Sequence, residues 1–362
     1  MTQTLPQALL LQARTRGTKT ALRYKRLGIW QARSWSEVAT DVSRLAAALQ
    51  QRGFSRGDDL LIISQARAEA LLLALAAQWL GGSVTLLDPE LDNRPLLVRL
   101  NPAFVLAEAL DSVQQIRDID QPPRVLLYLD GRGLNAGDDH GLSGYAELFT
   151  GIIADAPEPV TEAAATAFVF HPADGQPRPL SHGQLLEGAR KLITRESLSA
   201  GEEALAARVF AASGQARYLL APWLSAGFCL NFPEALATRD TDRRELGPTL
   251  VLGTRESYAR LEHWARERLP LPGTLSHRLY RWAMAPDAQL FRRWIGYWLI
   301  RRPLLDVLGM SRLRVPLLVG PALSQESAAF FGALGIHPGS WQEPSVLREP
   351  AQAPTHLISH SV

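Results

Sequence analysis

Apolar positions along the chain follow two periods, 3.6 and 2, in alternation. Residues 3–16 carry apolar side chains at helical spacing, TALRY at 20–24 predicts a strand, and SWSEVATDVSRLAAALQQRG predicts a helix. That helix is opened by a capping box from Ser34 to Glu37 and closed near Gly53. After the turn Ser55-Arg56-Gly57-Asp58 come an apolar strand, DLLIIS, a helix of nearly continuous Ala and Leu, EALLLALAAQWLGG, and the strand SVTLL. A helix around 93–100 and the strands AFVLAE and RVLLYL at 124–129 extend the run. Strands without a polar face, separated by helices, predict a parallel sheet covered on both sides.

Residues 130–163, rich in Gly, Asp, Ala and Pro, read as a loop or subdomain boundary. A second α/β run follows: strand AFVF, a loop, a helix at 182–197, strand ARVFA, a helical stretch near 222–236, strand TLVLG and a helix at 255–268. Beyond a Pro-rich turn at 270–273, strand RVPLLVG and helix SQESAAFFGALG close the pattern. The fold class is therefore α/β, with two subdomains of parallel or mixed sheets, residues 1–163 and 164–345, and a tail at 346–362.

Composition narrows the classes. With 362 residues, 46% of them hydrophobic and 20% charged, the chain can bury a large core. Cys229 is the only cysteine, which excludes a disulfide framework and fits a reducing, cytoplasmic setting. No signal-peptide pattern opens the chain, no window is apolar enough for a membrane span, and the eight histidines form no metal motif. Lys19, Lys25 and Lys191 are the only lysines, so no catalytic lysine follows residue 191.

Two stretches hold candidate chemistry. FHPADGQPRPLSH, residues 170–182, has the glycine, proline and basic residue of a phosphate loop, yet Pro172 removes an amide and Asp174 sets a carboxylate where a polyanion would lie. At 4 Å, each pair of like unit charges costs about 1 kcal/mol in water and about 4 kcal/mol at a partly buried surface. A plain connection with Ser181 as the helix N-cap is the competing reading. His171 and His182 have no nucleophile arrangement around them and are expected to be structural or exposed. Between His277 and Arg314, eight arginines and two aspartates are interleaved with aromatic residues. Arg292, Arg293, Trp294, Trp298, Arg301 and Arg302 suit a helix at a lipid headgroup layer or on an acidic partner. They equally suit a core helix whose arginines snorkel to water. With a net charge of +2 and no recognised binding fold, nucleic acid is not an expected partner.

In their order, these segments resemble the N-terminal domain of the AMP-forming acyl-CoA synthetases, most closely the long-chain fatty-acid branch. RSWSEVATDVSRLAAALQQRGFSRGDDLLIIS, GPTLVLGTRESYARLEHWARERL and LLDVLGMSRLRVPLLVGPALSQESAAFFGALG carry the likeness. The resemblance implies ATP, magnesium, an acyl tunnel and a mobile C-terminal lobe that delivers a lysine. Carried over by position, Gly175 alone is kept in the phosphate cradle, with Asp174 beside it, Arg178 at the lysine position and Ser181 after it. Ser225 stands where a tunnel histidine is usual and Gly227 matches, while Gly320 and Pro321 stand in the adenine-side turn. Gln342 replaces a threonine, and Glu343 keeps the magnesium position, although a lone carboxylate among Pro, Gly and Ser also suits plain surface. The sequence ends at Val362, before the family's ribose aspartate and lobe.

The expectation is a chain with no catalytic residue, no cofactor and no bound metal. It would act as an accessory module on an acyl chain, a lipid surface or a partner protein, in the cytoplasm or at the inner face of the membrane. The alternative is an AMP-forming acyl-CoA or acyl-carrier ligase whose lobe comes from another polypeptide, with ATP on Arg178 and magnesium on Glu343.

Overall fold

The computed structural model describes residues 4–134, 141–150, 156, 158–159, 161–172, 176–207, 213–267, 273–275, 278, 282 and 297–341. Its strands form two seven-stranded sheets, mostly parallel. The first, in the order β14-β13-β12-β10-β11-β1-β2, joins Gly339–Trp341, Val315–Val319, Leu250–Gly253, Glu203–Leu205, Cys229–Phe232, Thr20–Arg26 and Ile29–Ser34. The second, β7-β6-β5-β3-β4-β8-β9, joins Leu142–Gly144, Val125–Tyr128, Phe104–Ala107, Asp59–Ile63, Ser83–Leu87, Thr166–Phe170 and Arg178–Ser181.

Strand periodicity sets the layers. Leu60 and Ile62 of β3 face the large central cluster, whereas Leu61 and Ile63 face the other side, and Phe104 and Leu106 alternate with Val105 and Ala107 in the same way. The central cluster also takes apolar residues from helices α1 (Leu5–Arg16), α2 (Trp35–Gln51), α3 (Ala68–Trp79) and α6 (His182–Glu196). It includes helix α7 as well, which runs from Ser213–Gln215 through a π-helical turn, Ala216–Leu220, to Ala221–Ala226. Outside the second sheet lie α4 (Arg94–Leu100) and α5 (Leu110–Arg117). Outside the first lie α9 (Arg255–Arg266), α10 (a π turn Tyr297–Arg301 followed by Arg302–Val307) and α11 (Gln325–Ala333). Helix α8 is Arg239–Leu246. The layers run helix, sheet, helix, sheet, helix, the covered parallel arrangement that the apolar strands predict.

Local chemistry accounts for the element ends. The Ser34–Glu37 capping box is formed, with the Ser34 amide donating to the Glu37 carboxylate at 2.7 Å and the Glu37 amide donating to Ser34 Oγ at 3.3 Å. The β1–β2 turn uses Leu27 (φ +49°) and Gly28 (φ +77°), the positive-φ pair that a tight hairpin needs.

The sheets partition differently from the expected boundary at residue 163. β1 and β2 join the strands after residue 200, and β8 and β9 join those before 145, so both halves of the chain build each sheet. Two expectations are corrected, and a third lies outside the described residues. The strand predicted as ARVFA falls almost wholly outside the described residues, and a strand not predicted forms just before it, at Glu203–Leu205, where Glu202 is held by Arg314 and Thr249. The helical stretch near 222–236 stops at Ala226, because Gly227 takes a left-handed φ of +75°, and Cys229–Phe232 then pairs with β1 and β10. The region 130–163 holds β7 and a 3-10 turn, Tyr145–Phe149.

Candidate nucleotide-binding site

Two places at the ends of strands gather the positions singled out in the sequence. The first is the connection between β8 and β9, an antiparallel pair with Phe170 opposite Arg178 and Val169 opposite Pro179. Asp174 and Gly175 lie outside the described residues. Pro172 and Pro177 flank them, and Pro179 follows on an edge strand, where a missing amide is tolerated. Arg178 is exposed at the far end of the connection. Ser181 caps α6: Gln184 donates its amide to Ser181 Oγ at 3.2 Å, and its side chain accepts from the Ser181 amide at 3.0 Å.

The two histidines at this connection differ. His182 is fully buried, accepts the Leu5 amide on Nδ1 at 3.3 Å and thereby ties α6 to the start of α1. Burial pulls its pKa down to about 4, so it is neutral near pH 7. His171, just past β8, has both ring nitrogens buried and, among the described residues, without a hydrogen-bond partner. Burial, and next the charge of Arg99, hold it below the usual histidine range, with Asp59 opposing. A neutral imidazole with one donor and one acceptor suits a hydroxyl, an amide or a protonated acid better than a polyanion.

The second place is the carboxyl end of β13 and β14. Gly320 follows β13 with φ +90°, and its amide donates to the Trp341 carbonyl at 3.3 Å. Pro321 has no amide to offer. Trp341 packs on Tyr218 of the π turn with ring centroids 5.4 Å apart, while Arg195 lies over the Trp341 ring at 4.4 Å. Gly214, at the start of α7, closes on Val319, since a Cβ there would sit 3.0 Å from the valine methyl. Tyr218 was not legible as a site residue, because ARYLL reads as ordinary helix and nothing in it announces a π turn.

The acyl-side pair is packed into the scaffold. Ser225 Oγ donates to the Ala221 carbonyl at 2.8 Å, and Gln12 of α1 donates to the carbonyls of Leu224 and Ser225 at the end of α7. A Cβ on Gly227 would meet Gln12 Oε1 at 2.4 Å. A small apolar cavity of about 10 Å³, the size of one water, is lined by Ile62, Ser64, Ala74, Phe168 and Leu220 among others, and neither Ser225 nor Gly227 reaches it. Glu343, Arg292, Arg293 and Trp294 lie outside the described residues. Arg302 stacks on an exposed Trp298 at 4.5 Å, and Arg301 precedes it at the end of the π turn.

A family model described as AMP-binding enzyme matches residues 9–339. The chain belongs to the AMP-binding enzyme family. Solved structures agree on the fold. The adenylation domain of a carboxylic acid reductase from Segniliparus rugosus, in complex with AMP and a co-purified carboxylic acid, superposes with a TM-score of 0.71 at 15% identity, covering 94% of this chain and 60% of that one. The adenylation domain of a carboxylate reductase from Mycobacterium chelonae gives 0.70 at 16% identity, over 94% and 57%. A protein described as a long-chain-fatty-acid CoA ligase from Rhodopseudomonas palustris gives 0.63 at 17% identity, over 91% and 72%. The chain thus spans about three fifths of the two reductase domains, and at these identities the likeness is one of fold. No curated protein sequence matches it.

ATP is the family's nucleotide, and the described donors fit it poorly. Pro172 and Pro321 lack amides, the Gly320 amide is already bonded, and Tyr218 and Trp341 pack on each other, whereas Pro177 is the proline such a loop ordinarily carries. Among the described residues, no helix is long and apolar enough to cross a membrane.

Proposed function

We propose that this protein keeps the AMP-binding enzyme fold without its adenylation chemistry, and acts as an accessory module that binds an acyl group, a lipid surface or a partner. The observation that carries this reading is the exchange of donors at the β8–β9 connection. Pro172 stands where an amide would face phosphate, while both buried ring nitrogens of His171 are, among the described residues, without a partner and suit a neutral polar group. A lipid surface is favoured by α10, where Leu299, Pro303 and Val307 stand at i, i+4 and i+8 on the exposed side beside Trp298 and Arg302.

The test is ATP-dependent trapping of activated carboxylates as hydroxamates, over fatty acids of several lengths with magnesium present. No product above the protein-free control is expected. Stoichiometric or catalytic hydroxamate would instead support the second reading, a ligase completed by a separate lobe, which the fold likeness to an AMP-bound adenylation domain favours. Flotation with anionic vesicles tests the lipid reading. Trp298→Ala with Arg302→Gln is expected to lower vesicle binding several-fold, and equal flotation of variant and parent would remove α10 from the account.

A further inference from the structure

Away from the β8–β9 connection, helices α8 and α9 bring several guanidinium groups to one carboxylate. Asp240 accepts from Arg260 through both terminal nitrogens, at 2.5 and 3.3 Å, and from Arg243 at 2.9 Å. Arg239 approaches the same carboxylate at 3.7 Å. Arg244, next along α8, spends its donors on neutral groups, the Asp240 carbonyl at 3.3 Å and Thr241 Oγ1 at 3.1 Å, and lies over the Trp264 ring. The other acids of α8 are engaged elsewhere, since Asp242 and Glu245 both hold Lys25.

Arg239, Arg243 and Arg260 therefore share the one carboxylate of Asp240, and Arg244 stands beside them on neutral acceptors. Arg243 is the costly member: its side chain is 4% exposed, and Nε is fixed on the Leu308 carbonyl at 2.7 Å. Burial pulls its pKa down to about 10, with Asp240 acting in the opposite sense and Arg260 adding to the fall. A buried guanidinium that shares its counter-ion is stabilised by a second anion. The approach is open, because Asp240 and Arg260 are 30% and 39% exposed.

We propose that Arg244 and Arg260, backed by Arg243, form an oxyanion site for a phosphate monoester, whose two negative charges suit two guanidinium partners. Guanidinium forks present paired donors to phosphate oxygens, and the Trp264 ring holds Arg244 in place. The site is independent of the reading given above for the β8–β9 connection.

Calorimetric titration of the full chain with inorganic phosphate and with glycerol 3-phosphate tests it at low salt. Saturable binding is expected, weakened about tenfold by Arg260→Gln and again by Arg244→Gln. Asp240→Asn, which removes the competing carboxylate, is expected to tighten it, an outcome that a merely structural ion pair would not give. Phosphatidylcholine vesicles with and without phosphatidic acid form the second arm. Heat with the soluble esters supports the site. Absence of binding at tens of millimolar phosphate, equal affinity in parent and double variant, or binding to acidic vesicles alone would overturn it.

Discussion

Each sheet ends in an antiparallel hairpin, and the two hairpins differ in length and in the amides they carry. At β1–β2 the turn is tight, and the amides of Leu27 and Gly28 both donate to the Glu234 carboxylate, at 2.6 and 2.9 Å. Two successive amides and one anion make a small cradle, filled by the chain's own side chain. At β8–β9 the connection is longer, and Pro172 withholds an amide at its start, while Pro177 is a feature it shares with a phosphate loop. The fold can build an anion seat from a turn, and the β8–β9 connection differs from that turn in its length and its prolines.

The two hairpins also differ in how they are anchored, and this gives the largest expected effect. His182, directly after β9, holds α1 through its neutral imidazole. Its folded pKa of about 4 lies below the ordinary 6.5, so the unfolded chain binds the proton first as pH falls. Stability is then lost from about pH 6.5 downward, and the loss from this group is complete below about pH 4, at about 3 kcal/mol. Urea midpoints at pH 7, 5 and 4 should fall along this course, and His182→Gln should flatten it. An unchanged slope in the variant would show that the imidazole is not the titrating anchor.

Glycines separate strain from crowding. Gly227 and Gly28 have nearly equal φ, +75° and +77°, yet a Cβ on Gly227 meets Gln12 while one on Gly28 meets nothing within 4 Å. Gly227→Ala is expected to cost about 2–3 kcal/mol and Gly28→Ala about 1 kcal/mol, measured by urea unfolding. Equal losses would mean that α1 is free to move away from the end of α7. Smaller still, Glu234→Gln should cost about 0.5 kcal/mol by weakening the two charge-assisted bonds at an exposed turn. Hydrogen exchange at Leu27 and Gly28 should quicken with it, and unchanged protection there would separate the carboxylate from the turn.

Much of the scaffold was legible because its signals are local. The apolar strands, the Ser34–Glu37 box and the Ala-Leu helix α3 each state their conformation within a dozen residues. What was not legible depends on distant pairing. β11 is short and becomes a strand by joining β1 and β10, and the exchange of halves between the sheets leaves no mark in periodicity. At the site, the prolines and the placement of Ser181 ahead of a helix could be read directly. The bond from Gly320 to the Trp341 carbonyl, the Tyr218–Trp341 packing and the orphaned nitrogens of His171 could not, since each joins elements far apart in sequence or depends on burial.

The most direct measurement is a calorimetric and thermal-shift titration of the full chain with ATP and magnesium. No saturable heat and no rise in melting temperature at millimolar nucleotide is the predicted result. A saturable transition that Arg178→Gln abolishes would contradict it and return this chain to the adenylating members of its family.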